Sequence, residues 1–425
     1  MFKKVLSLVL ALAMLSALAL AFTSCNGGEA KSDMTEAPLA EVTLTKDFDI
    51  PSDFKLGVIC LHDEASTYDL NFINGVEKIK TVLGLTNDQV IYKKNIPESA
   101  ACTEAAEDLV DQGCDIVFAN SFGHETFLLE AAIANPDVQF CHATGTMAHT
   151  AGVANFHNAF ASIYEGRYLA GVAAGLKLNE MIADGKITAE EAKMGYVGAF
   201  TYAEVMSGYT SFYLGAKSVC PSVTMDVQFT GSWYDEIKEK EAATALINAG
   251  CVLISQHADS MGAPSVCEER GVPNISYNGS TDESCPETFI VSSRIDWAPY
   301  YYYIIKQYSQ GNAIDVDWTG TIATGSVVLT GVNKTAAADG TFEKIQEVAA
   351  KLADGTIKVF DITKFTVNNG QTLTSYMADV DTDAAFEGDT EAIVNGYFAE
   401  SSERSAPYFN VEIDGITLIN RNYGD

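Results

Sequence analysis

Histidines and carboxylates stand side by side at two places where metal ligation or proton transfer could be considered. His62 is followed by Asp63 and Glu64, and His124 is followed by Glu125. No two of the six histidines have the i, i+4 spacing that puts two imidazoles on one face of a helix to bind zinc. The sequence therefore predicts no metal site, and hydrogen bonding to a ligand or within the protein is the simpler role for these side chains.

Signatures of phosphate-binding loops and serine hydrolases are missing from the sequence. The segment 208–218 ends in Gly-Ala-Lys-Ser, but its glycine spacing is too long for a phosphate-binding loop, and an amphipathic helix explains it better. Gly171 and Gly175 lack the third glycine of a dinucleotide fingerprint and follow a helix-like run, where small residues permit close helix packing. No Gly-x-Ser-x-Gly elbow occurs. We predict neither a catalytic residue nor a cofactor.

The cysteines give no sign of a redox or metal motif. Eight follow Cys25, and none of them forms a Cys-x-x-Cys pair. Small apolar core residues are the simplest interpretation, although export would permit disulfides. Cys267 and Cys285 are the first pair to test for one.

The charge balance excludes two classes of partner. The 425 residues include 26 Lys plus Arg and 57 Asp plus Glu, for a net charge of −31. Nucleic acids and anionic lipid surfaces are bound through Lys and Arg, so neither is an expected ligand. With 47% hydrophobic residues, a chain of this length can form two globular units.

The N-terminus has the pattern of an export signal. Lys3 and Lys4 precede an uncharged apolar run over 5–22, which is followed by Phe-Thr-Ser and Cys25. A small residue before such a cysteine resembles a bacterial lipoprotein signal, in which residues 1–24 are removed and Cys25 is lipidated. An uncleaved anchor helix and a plain secretory signal are the alternatives. The polar residues 25–53 would then form a flexible stalk between a cell-membrane lipid anchor and an extracytoplasmic domain.

The sequence contains a duplication at a nearly constant offset, and this duplication predicts the fold. Leu109-Val-Asp-Gln-Gly-Cys matches Leu246-Ile-Asn-Ala-Gly-Cys, 137 positions later, and Pro136 to Phe140 matches Pro273 to Tyr277 at the same offset. A period this long indicates a duplicated domain rather than a solenoid. Each copy alternates short apolar runs with helix-like stretches, which is typical of βαβ units around a parallel sheet. We predict two Rossmann-like α/β lobes joined by a hinge.

Ligands of such sheets bind beyond the carboxyl ends of the strands. This rule selects six loops, in segments 62–69, 120–125, 141–145, 200–205, 256–262 and 278–280. Segments 95–98 and 232–235 also reach the rim. These loops are rich in aromatic, amide and carboxylate side chains and contain no Lys or Arg, so a phosphate ester is a poor candidate ligand.

These features together resemble the basic membrane protein family of substrate-binding lipoproteins of ABC importers, a type I periplasmic-binding-protein fold. The resemblance covers residues 55–311 and is strongest in Glu165-Gly-Arg-Tyr-Leu-Ala-Gly and Gly231-Ser-Trp-Tyr-Asp. It implies a ligand of the purine nucleobase or nucleoside type and delivery to an ABC permease.

The resemblance also implies site residues. Tyr68 would stack on the base and Asp69 would hydrogen-bond its edge. Ser121 and Phe122 would line the same lobe. From the second lobe, the cleft would be closed by Tyr202, Trp233 and Asp259.

Two positions depart from the family pattern. Where nucleoside-binding members have an Asp and a Lys that hold the ribose hydroxyls, this chain has Asn278 and Arg294. The departures favour a free nucleobase or another flat polar heterocycle over a nucleoside.

The resemblance divides the chain into a first lobe over 54–160, a second lobe over 161–277 and a return segment over 278–425 that completes both. Two other functions stay open at this point. One is a ligand sensor that presents its closed lobes to a membrane receptor. The other is a secreted nucleoside-processing enzyme with Asp69 or His124 as general base.

Overall fold

The computed structural model describes residues 31–380, 388 and 390–421. The predicted signal peptide, residues 1–24, and the predicted lipidation site, Cys25, lie outside the described residues. The helices of the described part are α1 Thr67–Leu83, α2 Ala100–Asp111, α3 Glu125–Ala134, α4 Ala148–Ala151, α5 Ile163–Ala183, α6 Ala203–Val219, α7 Glu236–Asn248, α8 Gly262–Arg270, α9 Ala298–Gln310 and α10 Thr341–Ala353. None of these helices is long and apolar enough to cross a membrane.

The strands follow the same chain order. They are β1 Leu56–Ile59, β2 Val90–Lys93, β3 Ile116–Ala119, β4 Gln139–Ala143, β5 Phe156–Ala161, β6 Lys193–Gly198, β7 Thr224–Phe229, β8 Leu253–Gln256, β9 Asn274–Tyr277, β10 Phe289–Ile295, β11 Asp317–Gly320, β12 Val327–Leu329, β13 Met377–Ala378, β14 Thr390–Glu391, β15 Ile393–Val394, β16 Tyr397–Phe398 and β17 Ile416–Leu418. Single 3₁₀ turns span Asn87–Gln89, Phe122–His124 and Ala189–Glu191.

The first lobe is built on a parallel sheet with the strand order β11-β5-β4-β3-β1-β2. All four residues of β1 are buried, as expected of a strand covered by helices on both faces. Helix α1 follows it and begins at Ser66, whose hydroxyl accepts a hydrogen bond from the Asp69 N–H. The helix ends at Gly84 in the left-handed conformation, which a glycine adopts without steric cost.

The second lobe repeats this arrangement. Its sheet has the order β12-β10-β9-β8-β6-β7-β17, and only β12 among its paired strands runs antiparallel to its neighbour. The run β7-β6-β8-β9-β10 corresponds to β2-β1-β3-β4-β5 of the first sheet. The predicted α/β fold with two similar lobes is therefore confirmed.

The return segment contributes to both lobes. Trp297, just before α9, stacks on Phe72 of α1 with ring centroids 4.3 Å apart. Strand β11 pairs with β5 and completes the first sheet. Strands β12 and β17 form the two edges of the second sheet, and α10 packs against α5. The chain thus passes between the lobes several times, which joins them by more than one connection.

The expectation of a flexible stalk is wrong for residues 31–53. Leu39 is buried in the hydrophobic core of the second lobe, and the Thr35 N–H donates to the Val332 carbonyl at 2.9 Å. Further along, Phe48 is buried, and its ring contacts Tyr302 of the first lobe with centroids 5.5 Å apart. A few apolar side chains among polar ones are enough to hold this segment across both lobes.

Glycines bring α5 and α6 into backbone contact. A Cβ atom at Gly171 would lie 2.0 Å from the Phe212 carbonyl oxygen, and one at Gly215 would lie 2.0 Å from the Tyr168 carbonyl oxygen. No side chain fits at such distances. The prediction that Gly171 and Gly175 serve helix packing is confirmed, because a Cβ atom at Gly175 would also come too close to a backbone atom, the Ala216 carbonyl oxygen, at 2.5 Å.

Candidate functional site

A small cavity lies between the two lobes, beyond the carboxyl ends of their strands. The first lobe lines it with Leu61, His62, Tyr68, Asp69, Ser121, Phe122 and Thr144, and the second lobe with Glu204, Trp233, His257 and Asp259. The predicted residues that meet here are Tyr68, Asp69, Ser121, Phe122, Trp233 and Asp259.

Asp69 is held in place by the first lobe. It lies in the first turn of α1, and its Oδ1 atom accepts hydrogen bonds from the His62 N–H at 3.1 Å and from the Asn120 side-chain amide at 2.7 Å. Both bonds fall on the same oxygen. The second carboxylate oxygen is therefore the one to offer a ligand that carries N–H or O–H donors.

Tyr68 precedes Asp69 and is fixed at both ends of its side chain. The hydroxyl donates to the Asn120 carbonyl at 2.6 Å, and the ring contacts Phe72 with centroids 4.9 Å apart. Burial raises the pKa of the phenol well above its ordinary value, so the side chain is neutral. A fixed neutral ring at the cavity wall is suited to stacking.

Hydrogen bonds beneath Ser121 organise the adjacent loop. The Ser121 hydroxyl donates to Glu98 Oε1 at 2.7 Å, and the Gly123 N–H donates to the same oxygen at 2.7 Å. His142 Nε2 lies 2.7 Å from the Ser121 carbonyl.

His124 is fully buried, with Nε2 at 2.8 Å from the Ile96 carbonyl. Because it is buried and does not line the cavity, His124 is a structural histidine rather than a general base.

Aromatic side chains from both lobes meet beside the cavity. Phe122 of the first lobe contacts Tyr202 of the second with ring centroids 5.2 Å apart. Tyr202 stacks on Phe200 at 5.1 Å, and Phe200 meets the Trp233 ring edge-on at 5.0 Å. Tyr202 therefore lies behind the wall and lines a neighbouring chamber, whereas Trp233 reaches the cavity itself.

The second lobe contributes carboxylates to the cavity. Burial, reinforced by Glu239, Asp69 and Glu204, raises the pKa of Asp259 well above its ordinary value. His257 Nε2 lies 3.5 Å from Glu204 Oε1, but burial lowers the pKa of this histidine. Burial lowers the pKa of His257 more than the neighbouring Glu204 side chain raises it, so the imidazole is neutral.

The two lobes touch at the cavity edge. The backbone N–H and the hydroxyl of Thr67, at the start of α1, both donate to the Asp259 carbonyl at 3.2 Å. These bonds join the first lobe to the second beside Asp69 and Asp259. The arrangement is a closed cleft.

Thr144 and Asn278 occupy matching positions at the ends of β4 and β9, and both have a φ of 66°. Left-handed backbone is uncommon for residues other than glycine and is often found at binding sites. The Asn278 amide donates to Asp259 Oδ1 at 3.3 Å. Asn278 thus supports a cavity residue rather than lining the cavity.

The prediction that Arg294 reaches the site is wrong. Arg294 lines an outer groove together with Glu41, Lys78 and Asp296. The Arg294 side chain belongs to this groove and is absent from the lining of the cavity.

Three cavity residues were not considered from the sequence as ligand contacts, Leu61, Thr144 and Glu204, whereas His62 and His257 were considered as loop histidines that could hydrogen-bond a ligand. All but Leu61 fall within the loops that the strand-end rule selected. The rule therefore located the site, and the resemblance selected only part of its lining.

The lining presents hydrogen-bond acceptors and aromatic faces. Among the described residues, no Lys or Arg lines the cavity and no three His, Cys, Asp or Glu side chains form a group that could hold a metal ion. All eight cysteines from Cys60 to Cys285 are buried free thiols, so the suggested Cys267 to Cys285 bond is not formed. Such a site can bind a flat ligand that carries hydrogen-bond donors, without converting it to a product.

Comparisons with known proteins agree with this arrangement. The family model of Bmp, described as ABC transporter substrate-binding protein PnrA-like, matches residues 59–363. A purine-binding protein of Brucella abortus is 34% identical over 213 residues, which are 50% of this chain and 57% of the relative. A provisionally named ABC transporter glucose-binding protein of Haloferax volcanii is 32% identical over 207 residues, 48% of this chain and 49% of the relative. These matches span about half the length of the relatives.

A solved structure shares the fold. An ABC transporter solute-binding protein from Conexibacter woesei superposes with a TM-score of 0.58 at 19% identity, covering 72% of this chain and 98% of the other. The prediction of a binding protein rather than an enzyme is confirmed, because the matched family is one of solute-binding proteins. Proteins of this class act outside the cytoplasm. The chain belongs to the Bmp family of PnrA-like substrate-binding proteins of ABC transporters.

Proposed function

We propose that this protein captures a purine-type nucleobase or nucleoside in the cavity between its lobes and delivers it to an ABC permease. The supporting observation is the pairing of aromatic walls, Tyr68, Phe122 and Trp233, with the carboxyl groups of Asp69, Glu204 and Asp259. A purine offers a π-face for the first set and an edge of N–H donors and ring-nitrogen acceptors for the second. Stacking contributes roughly 1–3 kcal/mol per base.

A protonated Asp259 side chain helps the site to distinguish a purine from a sugar. Because burial raises its pKa, its carboxyl group can donate a hydrogen bond to a ring nitrogen, while Asp69 accepts one. Donor and acceptor groups on the two lobes then match the alternating edge of a purine. A sugar offers no π-face and uses the aromatic walls less well.

Transport follows from closure of the lobes. Domain closure around a ligand is a common route by which binding proteins change shape, and a permease that recognises the closed form would receive only loaded protein. The lipid anchor on Cys25 belongs to the same proposal, since it would keep the protein at the extracytoplasmic face of the cell membrane.

A thermal-shift panel tests the ligand class. Adenine, hypoxanthine, adenosine, inosine, glucose and amino acids are added separately to the purified protein. A ligand at 100 times its Kd stabilises the folded state by about 2.7 kcal/mol, so a purine compound should raise the melting temperature by several degrees. A shift with glucose and none with any purine compound would reject the proposed ligand.

Tyr68 gives a test at the residue level. Tyr68→Ala removes the ring and should weaken purine binding by roughly 1–3 kcal/mol, measured by isothermal titration calorimetry. Tyr68→Phe is the matched control, because it keeps the ring and loses only the hydroxyl that donates to Asn120. We expect the Phe variant to bind close to the wild type. Equal losses in both variants would show that stacking on Tyr68 does not hold the ligand.

A further inference from the structure

A second chamber opens from the cavity and is closed by the C-terminal part of the chain. It has a volume of about 360 Å³ and shares Phe122, Thr144 and Glu204 with the cavity. Its third wall consists of Arg404, Ala406, Pro407 and Asn410. These residues lie beyond the family match, which ends at residue 363.

The C-terminal wall, residues 399–410, is fixed to the rest of the protein. The Ser405 N–H donates to Asp317 Oδ2 of the first lobe at 2.9 Å. The Tyr164 hydroxyl on α5 donates to the Glu400 carbonyl at 3.3 Å. Phe409 is fully buried and stacks on Phe360 with ring centroids 4.1 Å apart. The wall is therefore a built part of the cleft rather than a loose tail.

The chamber differs from the cavity in having a cationic side chain, Arg404, in its lining. Two of its five N–H groups donate to backbone carbonyls, to Ala406 at 3.3 Å and to Pro407 at 3.4 Å. Four carboxyl groups, those of Asp379, Glu400, Asp317 and Glu125, act electrostatically on the guanidinium, which also lies 5.9 Å from the centre of the Tyr408 ring. Within the part of the chain that the structure describes, none of these carboxyl groups is at ion-pair distance from Arg404, and three of them, on Asp317, Glu125 and Glu400, accept the backbone N–H groups of Ser405, Thr146 and Tyr408. Donors of Arg404 thus remain for a ligand.

Asn410 adds a second donor. Its Oδ1 atom accepts a hydrogen bond from the Tyr376 hydroxyl, which assigns the amide NH₂ to the other side. The chamber thus adds donors, from Arg404 and Asn410, to the Glu204 carboxyl group that it shares with the cavity, whereas the cavity has acceptors such as Asp69 and no Lys or Arg among its described lining residues. A ligand that fits both has a donor-bearing flat ring joined to an oxygen-rich substituent.

We propose that the C-terminal wall forms a subsite for the pentose of a nucleoside whose base lies in the cavity. The inference rests on the proposed function and makes it narrower. It assigns the pentose to the C-terminal wall, whereas the departures from the family pattern at Asn278 and Arg294 had argued for a free base.

Calorimetric titration with two matched pairs, adenine with adenosine and hypoxanthine with inosine, tests the subsite on the full chain. Loss of a hydrogen bond to a charged group weakens binding by about tenfold or more. We expect the wild type to bind each nucleoside at least about tenfold more tightly than its base. Arg404→Gln should bring the two within about threefold while leaving the affinity for the base unchanged.

Two variants serve as comparisons. Arg404→Lys keeps a charged donor and should retain part of the preference, and Arg294→Gln on the outer groove should retain all of it. Three results would overturn the subsite: equal affinity for base and nucleoside in the wild type, loss of the preference in Arg294→Gln instead, or an equal loss for base and nucleoside in Arg404→Gln. If neither bases nor nucleosides bind, the proposed function fails as well, and base binding alone rejects only the subsite.

Discussion

Gly171→Ala is expected to destabilise the protein by about 3 kcal/mol or more, near or beyond the upper end of ordinary overpacking. In an open helix the same change would stabilise by up to about 1 kcal/mol. The sign reverses because the new Cβ atom would lie 2.0 Å from the Phe212 carbonyl oxygen. The helices α5 and α6 would have to separate, and α5 is buried through most of its length. Urea unfolding followed by circular dichroism measures the loss.

Gly279→Ala is the matched control for that experiment. Its nearest neighbour would be the Thr67 Cγ2 atom at 3.5 Å, an ordinary van der Waals distance, and surface changes of this kind stay within about 0.5 kcal/mol. Equal stability of the two variants would mean that α5 and α6 are not in backbone contact.

When the pH is raised from 6 to 8, the Glu400→Gln protein is expected to lose about 2–3 kcal/mol less of its free energy of unfolding than the wild type. Glu400 is buried in the C-terminal wall, and burial raises the pKa of its carboxyl group from 4.5 to about 8. The folded state therefore holds a proton that the unfolded state releases. The resulting stability is fully present below pH 4.5 and is lost as the pH rises to about 8, at about 1.4 kcal/mol per pH unit.

Urea unfolding at pH 6 and at pH 8 measures this difference. Other groups also titrate in this range, since burial raises the pKa of Glu165 and Glu239 to about 7. They contribute equally to both proteins, so the comparison isolates Glu400. Glu343→Gln, at an exposed position of α10, should follow the wild type. A Glu400→Gln protein with the wild-type pH dependence would show that this carboxyl group is ionised when folded.

The lobes could be predicted from the sequence because their signals are local. Runs such as Leu56–Ile59 are apolar throughout, and the duplicated Gly-Cys pairs at 113–114 and 250–251 mark equivalent strands. Parallel sheets bind at their strand ends, and that rule alone led to the loops of Asp69 and Asp259. Both lobes therefore followed from patterns within a few tens of residues.

The remaining features depend on contacts between distant residues. Arg404 lines the same chamber as Phe122 and Tyr202, and no local pattern in the sequence indicates that residues so far apart in the chain share a chamber. The same holds for Leu39, whose polar surroundings in the sequence hide its burial in the second lobe. The sequence likewise gives no sign that Arg294 lines the outer groove and not the cavity.

The cavity and its neighbouring chamber give one account of selectivity. Aromatic walls favour a flat ring, acceptors on Asp69 and Glu204 favour an N–H edge, and Arg404 adds a donor outside the ring site. The cavity shares the acidic character of the chain, because its lining includes Asp69, Glu204 and Asp259, and on the outer surface the negative net charge favours solubility.

Tryptophan fluorescence tests the central claim that a purine-type ligand occupies the cavity. Of the three tryptophans, Trp233 lines the cavity, whereas Trp297 is buried against Phe72 and Trp318 stacks on Tyr303. Titration with adenosine and hypoxanthine should give a saturable change at one ligand per protein, and Trp233→Phe should lose that change. A saturable change with glucose and none with either purine compound, or one that persists in Trp233→Phe, would contradict the account.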